Sequence, residues 1–381
     1  MAVSQLLTRS HPNAPGYQTS VGALRLDAIA DPGYENHPAY GLAFPAPGLK
    51  LRLQALARLV PWLLFACAKQ VFLGDRLPTL PQYPDGLEGG ILGRIRALPR
   101  YLPFILQTLV AQFSPVKRKA GARTNELESP LTRTLRQDGI VVSRLPDDER
   151  TQLNRQLEQP LAEVLRRREH SATTTFKGNQ KCFNPQEHGA LYASLTSMLS
   201  QVGLIDTASA YLNRPVTLTR LVLQVNDARD TFMYTSFPDA GLPNSSTNYM
   251  HIDRAYSCLK CVIYLCEVGP LNGPFSYVLG SNRLDNGALG GVVRRAVDRA
   301  GLSASDRDTR QVFMALPKSF RKKGLFGADM IDHSANSNLL LRAEYCFTSD
   351  FGNVALFDNL GIHRGGLVSQ GQRRALFATL A

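Results

Sequence analysis

The order of apolar and polar residues divides the chain into an earlier helical part and a later part with the pattern of strands. Residues 146–149 have the composition of a helix start. Behind them, leucines recur at the spacing of one helix face at Leu153, Leu157, Leu161 and Leu165. Two more helices are predicted at Gly189–Val202 and Ile205–Leu212.

From Val216 onward the pattern favours β-strands. Strands are predicted at Thr217–Val225, Ser257–Val268, Phe275–Leu279, Asn353–Phe357 and Arg374–Leu380, with another near Tyr345. An earlier Asp138-Gly139 turn leads into a short strand at Ile140–Val142. A helical insertion at Asp285–Glu344 separates two of the later strands, with helices at Gly287–Ala300 and Asp306–Ala315. The simplest architecture is a mainly β core, with helices before it and one helical insertion.

The first third of the chain differs from the rest. Residues 1–45 are rich in Pro, Gly and Ala and are predicted to form an extended arm. Leu49–Leu73 and Tyr101–Phe113 predict amphipathic helices with basic flanks, and the sequence therefore divides into residues 1–124 and a domain at 125–381. These helices either pack on the main domain or lie on an anionic membrane surface.

Charge is concentrated in the same part of the chain. The net charge is +12, and residues 1–124 carry +8 of it, from 14 Lys/Arg less 6 Asp/Glu. Such an excess either attracts an anionic membrane or a phosphorylated substrate, or simply keeps the protein soluble. No nucleic-acid partner is predicted. Hydrophobic content of 44% and charged content of 19% suit a globular protein.

The cysteines and the N-terminal residues bear on the compartment. Met1–Asn13 lacks the order of a secretory signal, so reduced thiols in the cytoplasm are predicted, with membrane association as the open alternative. Cys258 and Cys261 invite a metal interpretation, with Cys266 nearby. Residues three apart on a strand point to opposite faces, however, which favours core packing over metal binding for these thiols.

Two histidine sites carry the candidate chemistry. In His251-Ile252-Asp253 two ligand-capable side chains lie two residues apart, so an extended backbone projects both to one side. His363 follows the strand predicted at Asn353–Phe357 and would bring a second imidazole to the same face. Two imidazoles and one carboxylate suit Fe(II) and leave three coordination positions open.

The H-x-D pattern occurs by chance in many proteins, so its surroundings carry the interpretation. Arg373 and Arg374 precede the apolar segment Ala375–Phe377. A guanidinium inside a barrel is unfavourable unless it pairs with a carboxylate. A dicarboxylate that chelates iron at one end would supply this partner at its other end.

With these residues assembled, the sequence resembles the phytanoyl-CoA dioxygenase family of Fe(II)/2-oxoglutarate oxygenases. The similar segments follow the family's order over about residues 130–381: Gln137–Val141, His251–Asp253, Val262–Leu265, Asn272–Pro274, Leu279–Ser281, Asn353–Asn359 and His363. Arg374, eleven residues after His363, falls where the family has its 2-oxoglutarate-binding arginine, and Arg373 replaces it if the register shifts by one. The chain departs from the family at Asn282, where relatives often have a histidine that is not an iron ligand.

The resemblance implies a double-stranded β-helix, a jelly-roll of the cupin kind. It implies iron ligation by His251, Asp253 and His363, with Fe(II), 2-oxoglutarate and O2 as cofactor and co-substrates. Gln224 is a further candidate contact to 2-oxoglutarate, and Asn226 is equally reachable. The implied reaction oxidises a C–H bond and releases succinate and CO2. The retained Asp253 indicates hydroxylation or a related oxidation rather than halogenation.

The substrate is not defined by these residues beyond a small organic or lipid-like molecule. The insertion Asp285–Glu344 and the loop Asp227–Tyr249 are candidates to cover the site. Basic residues of the insertion, Lys318, Arg321, Lys322 and Lys323, could meet an anionic substrate or form a solvated helix end. The alternatives are a membrane-associated lipid or glycolipid hydroxylase, and a binding protein that has the fold without the metal.

Overall fold

Two antiparallel β-sheets and the helices that cover them account for most of the described chain. The computed structural model describes residues 24, 30–31, 33–38, 40–68, 128–170, 178–229, 247, 249–251, 258–283, 307–322, 334–349 and 352–381, with backbone alone at 58, 60–68 and 309. Within these residues the mainly β core with preceding helices is confirmed.

Five of the eight described helices match predicted ones, whereas the helices at Pro130–Asp138, Lys318–Arg321 and Ala335–Ala343 were not predicted. They are α1 (Leu49–Ala68), α2 (Pro130–Asp138), α3 (Asp147–Glu169), α4 (Gly189–Gln201), α5 (Leu204–Leu212), α6 (Arg307–Met314), α7 (Lys318–Arg321) and α8 (Ala335–Ala343). The helices predicted at Gly287–Ala300 and Tyr101–Phe113 lie outside the described residues.

Local residues explain where α2 and α3 begin and end. Ser129 caps α2 by accepting a hydrogen bond from the Thr132 amide at 3.1 Å, and Gly139 ends the helix with φ of 81°. The predicted Asp138-Gly139 turn is thus a helix end that leads into a strand. In α3, acidic residues occupy the first turn and arginines the last, which complements the helix dipole.

The strands form a larger and a smaller sheet. They are β1 (Ile140–Ser143), β2 (Gln180–Phe183), β3 (Leu218–Asp227), β4 (Leu259–Tyr264), β5 (Phe275–Val278), β6 (Glu344–Phe347), β7 (Val354–Asp358), β8 (His363–Gly365) and β9 (Gln372–Leu380). The larger sheet has the order β1-β7-β4-β9-β3-β2, and the smaller has the order β6-β5-β8. All the pairings are antiparallel.

The larger sheet is buried on both faces. On one face, Leu223 and Leu376 pack against α3 and α4 in one apolar cluster. On the other face, Val262 and Phe357 meet Tyr277 of the smaller sheet in a second cluster. Alternate residues of each central strand therefore point to the helices or to the space between the sheets.

Tyr277 fills a tight space between the two sheets. Its hydroxyl donates to the Asp358 carbonyl at 3.0 Å, and burial raises the pKa of Tyr277 well above its ordinary value, so the hydroxyl stays protonated. A Cβ atom at Gly139 or at Gly361 would overlap this hydroxyl. Both positions therefore require glycine while Tyr277 is present.

The N-terminal segment packs on the insertion. Tyr34 and Tyr40 lie with ring centroids 5.1 and 5.7 Å from that of Phe313 in α6. Residues 34–36 and 41–43 form short 3-10 turns, so this part of the predicted extended arm is folded instead. Aromatic burial against α6 explains the difference, because it offsets the entropy of ordering the chain.

Basic residues of the insertion contact the same segment. Glu35 forms ion pairs with Arg321 at 3.1 Å and with Lys318 at 3.8 Å. These two side chains thus contact the N-terminal segment, whereas Lys323 lies outside the described residues. No helix in the described part of the chain is long and apolar enough to span a membrane.

The cysteines of the β4 region pack in the core, as predicted. Cys258 and Cys261 are buried, and burial raises the pKa of Cys261 to about 12. Cys261 belongs to the cluster beneath the helices. Its thiol therefore acts as a small apolar group.

A buried ion pair crosses the smaller sheet. Arg364, next to His363 in β8, donates from Nε and Nη2 to the two carboxylate oxygens of Glu344, each at 2.8 Å. Ser276 of β5 donates to the same carboxylate. The Glu344 side chain is 1% exposed and that of Arg364 is 13% exposed, so the pair ties all three strands together away from water.

We predict that Glu344→Gln destabilises the protein by about 3 kcal/mol, because it removes the charge of a buried carboxylate that accepts from Arg364 and Ser276. Urea unfolding checks this value. Glu163→Gln is the matched control, since its pair with Lys181 lies at the surface and the midpoint should stay close to that of the unmodified chain. Equal losses in the two variants would contradict the prediction.

Candidate metal centre and its pocket

A backbone bridge brings the two predicted histidine ligands side by side. His251 and His363 exchange amide-to-carbonyl hydrogen bonds of 2.9 Å in both directions. Their ring centroids are 4.6 Å apart, with planes inclined at 50°. Residues far apart in sequence thus present two imidazoles at one point of the fold.

Each imidazole is oriented by a main-chain carbonyl two residues earlier. The contacts are 2.9 Å from His251 Nδ1 to the Tyr249 oxygen and 2.8 Å from His363 Nδ1 to the Gly361 oxygen. A carbonyl can only accept, so Nδ1 carries the proton and Nε2 holds the lone pair in the neutral ring. Metal-binding histidines use this second hydrogen bond to fix the ring and its tautomer.

The backbone at Tyr249 is strained. Its φ of 63° lies in the left-handed region, which a bulky residue rarely adopts. This conformation directs the carbonyl toward His251, and the Tyr249 ring lies 5.0 Å from the His251 ring. Strain of this kind concentrates at functional sites.

Aromatic side chains surround His363. The ring of Phe357 is 5.1 Å away and that of Phe275 is 5.7 Å away, while Tyr277 is nearly parallel at 6.4 Å. His363 is 5% exposed. Such an environment excludes water and fixes the ring position.

The third predicted ligand, Asp253, lies outside the described residues. Among the residues that are described, no group of three His, Cys, Asp or Glu side chains converges on one point. The contribution of Asp253 to a metal site therefore stays a prediction.

The histidines line a cavity of about 330 Å³ between the two sheets. Gln224 and Asn226 of β3 line it as well, and both are buried. Tyr249 also contributes to the wall. Both predicted polar positions on β3 thus face the same space as the histidines.

Arg373, rather than Arg374, points into this cavity. Alternation along β9 explains the difference: Arg373 and Phe377 line the cavity, whereas Leu376 packs beneath the helices on the other face. Arg374 shares the face of Leu376 and donates to Gln372 Oε1 at 3.1 and 3.2 Å. The register therefore differs by one residue from the predicted one, and Arg373 becomes the candidate.

Arg373 is 5% exposed and held by neutral acceptors. Its guanidinium donates to Asn226 Oδ1 at 2.9 Å, to the Gly366 carbonyl at 3.3 Å and to the Gly273 carbonyl. A Cβ at Gly365 would lie 3.1 Å from Arg373 Nη2, so the absence of a side chain there gives the guanidinium its space. These three acceptors orient the guanidinium within the cavity wall.

An ion-pair network fixes the end of β3 beside Asn226. Arg168 of α3 donates to the Val225 carbonyl at 3.0 Å and forms an ion pair with Asp227 at 2.7 Å. Burial would raise the pKa of Asp227, but hydrogen bonds from Arg229 and Arg168 outweigh it and lower the pKa from 3.8 to about 2. Helix α3 is thereby tied to the strand that orients Arg373.

This chain is similar to several solved structures, but no known family matches it. No protein-family model matches the chain, and no curated protein matches it. AviO1 from Streptomyces viridochromogenes Tue57 aligns at 15% identity over 66% of this chain and 93% of its own, with a TM-score of 0.36. EctD from S. alaskensis with bound Fe aligns at 15% identity over 70% and 81%, with a TM-score of 0.37.

A third solved structure is the non-heme alpha ketoglutarate dependent carbocyclase SnoK from nogalamycin biosynthesis. It aligns at 15% identity over 67% of this chain and 84% of its own, with a TM-score of 0.38. Alignments at this level decide neither fold nor function, so the side chains of this chain must carry any functional conclusion.

The lowered pKa of Asp227 predicts a pH dependence of stability. A carboxyl with a depressed pKa stabilises the fold above its unfolded pKa, and this stabilisation is lost as pH falls through the folded pKa. The decrease in the pKa of Asp227 from 3.8 to about 2 raises the free energy of unfolding by about 2 kcal/mol near neutral pH. About half of this stabilisation should be lost by pH ~3.

Urea unfolding at pH ~6 and pH ~3 tests this dependence, and Asp227→Asn should lose less stability between these pH values than the unmodified chain. Glu158→Gln is the control, because that side chain is exposed in the middle of α3, and the variant should keep the stability difference of the unmodified chain between the two pH values. Parallel pH profiles for Asp227→Asn and the unmodified chain would refute the assignment.

Proposed function

We propose that this protein is an Fe(II)/2-oxoglutarate-dependent oxygenase that oxidises a C–H bond of a small organic or lipid-like substrate. The observation that carries the proposal is the pair of imidazoles at His251 and His363. Each has its Nδ1 directed to a carbonyl, beside a cavity that also contains the buried guanidinium of Arg373.

The donor set fits the proposed metal. Two neutral imidazoles with Nε2 as the lone-pair atom, together with the carboxylate of Asp253, would hold Fe(II) and leave coordination positions for a bidentate co-substrate and O2. When bound, Fe(II) with 2-oxoglutarate and O2 supplies the oxidising power for C–H cleavage, with release of succinate and CO2. Arg373 would pair with the distal carboxylate of 2-oxoglutarate.

The order of the strands supports a double-stranded β-helix. Counting from β3 along the chain, and with the His251 segment as the second strand, eight segments follow the orders 1-8-3-6 and 2-7-4-5 in the two sheets. Such an order is expected of a double-sheet jelly roll, in which ligands bind between the sheets.

The protein's own residues would orient and shield the reaction. The carbonyls of Tyr249 and Gly361 fix the imidazoles, and Asn226 fixes the guanidinium that orients the co-substrate. Phe275 and Phe357 exclude water from the side of His363. Exclusion of water protects the reactive centre from side reactions.

We predict that His251→Ala, His363→Ala or Asp253→Ala abolishes the visible charge-transfer absorption that forms when Fe(II) and 2-oxoglutarate are added anaerobically. Each variant removes one of the proposed iron ligands. His188→Ala is the control, because His188 lies at the start of α4, away from the cavity, and should leave the absorption intact. A full absorption band in the His251 or His363 variant, or no band in the unmodified protein, contradicts the proposal. The second outcome would favour the metal-free binding protein.

We also predict that Arg373→Ala weakens 2-oxoglutarate binding by between about 10-fold and 100-fold, because a charge-assisted hydrogen bond contributes about 1.5–3 kcal/mol. Titration of the same absorption with 2-oxoglutarate measures the effect. Arg374→Ala is the matched control: it removes the same side chain from the opposite face of β9 and should change the affinity less than about twofold. A large loss of affinity in Arg374→Ala and a small one in Arg373→Ala would instead support Arg374, the residue predicted from the sequence.

A further inference from the structure

The cavity has basic side chains at two ends of one sheet face, which we call its two poles. Arg373 forms the first pole, and Arg220 with Lys260 forms the second. Arg220 of β3 and Lys260 of β4 are both opposite Thr379 of β9, so the three residues form one row across adjacent strands. All three line the cavity. Arg220, Lys260 and Arg373 are the lysine and arginine side chains among the described residues that line it.

The rest of this sheet face separates the two poles. The next row consists of Val222, Phe377 and Val262, which is apolar and also lines the cavity. Arg220 and Asn226, the partner of Arg373, are six positions apart on β3, and at about 3.3 Å per residue their backbones are about 20 Å apart. The two poles therefore start from opposite ends of this sheet face.

The second pole lies beside the histidines. Lys260 is directly opposite Phe357 of β7, and the Phe357 ring is 5.1 Å from the ring of His363. Arg220 is exposed and Lys260 is half-buried, so this end of the cavity opens to solvent. A molecule that enters here would pass the basic row before it reaches the imidazoles.

We propose that Arg220 and Lys260 bind an anionic group, a carboxylate or a phosphate, on the substrate. This inference rests on the proposed function, since it assigns the substrate class for the same site. The apolar row of Val222, Phe377 and Val262 then contacts the substrate's hydrocarbon part, and Thr379 offers a hydroxyl to the anion. Two cations that flank Thr379 from either side of β9 bind an anion more strongly than either alone.

Calorimetric titration with matched probes tests this assignment. Hexanoate, hexyl phosphate and hexanol share one hydrocarbon chain and differ in charge. They are added anaerobically to protein saturated with Fe(II) and 2-oxoglutarate, so that the Arg373 pole is already occupied. The two anions should bind at least about tenfold more tightly than hexanol, the equivalent of one charge-assisted hydrogen bond.

Substitutions test whether Arg220 and Lys260 cause the preference for the anionic probes over hexanol. The Arg220→Gln/Lys260→Gln double variant should lose it, with 2-oxoglutarate affinity changed less than about twofold. Arg220→Lys should retain it because the charge is kept. Lys181→Gln is the control, since Lys181 lies on the neighbouring β2, pairs with Glu163 of α3 and does not line the cavity.

Each outcome separates this inference from the proposed function. No preference for the anions, or a preference that survives in the double variant, overturns the inference. A loss of 2-oxoglutarate affinity in the double variant also overturns it, because the pair would then hold the co-substrate. If the unmodified protein forms no Fe(II)/2-oxoglutarate absorption but keeps an anion preference that depends on Arg220 and Lys260, the proposed oxygenase fails while the anion site stands.

Discussion

The site depends on two backbone hydrogen bonds between His251 and His363. Each is 2.9 Å long, and together they join a segment after β3 to the first residue of β8. Without this bridge the imidazoles would lie on separate loops, since no covalent link fixes their spacing. The Glu344–Arg364 pair ties β8 to β6 across β5 and so fixes one side of the bridge. The strained turn at Tyr249 fixes the other side. A metal site with this support is organised before any ligand arrives.

The register of the larger sheet sets the chemistry of the cavity. Cross-strand pairing puts like residues in rows, so one wall runs from a basic row, through an apolar row, to the polar pair of Asn226 and Arg373. A shift of one residue in β9 would exchange Arg373 for Arg374 and would move every side chain of β9 to the opposite face of the sheet. The ion pair of Arg168 with Asp227 therefore matters beyond its own stability, because it secures the strand against which β9 is aligned.

Sequence patterns predicted most strands, the helices of the middle region and the paired histidines, because each has a local signal. The distance from His363 favours Arg374, whereas strand alternation favours Arg373. Leu376, Ala378 and Leu380 are aliphatic, so their face is the one under the helices, and Arg374 shares it. Strand β2, with its Gln180 and Lys181, has no apolar alternation and exists through its pairing with β3. The folded turns near Tyr34 depend on Phe313, a contact that no local pattern reveals.

The packing of Tyr277 couples distant parts of the sequence. Its hydroxyl occupies the space that a side chain would need at Gly139, where α2 ends, and at Gly361, just before β8. The three positions consequently behave as one unit in evolution and in design. Alanine at Gly361 should be accepted only in a chain with a smaller residue at 277, whereas Gly139 is also required by its φ of 81°. Gly139 and Gly361 have the local pattern of two unrelated turns. Substitutions at them are nevertheless expected to show epistasis, because both glycines lie against the ring of Tyr277.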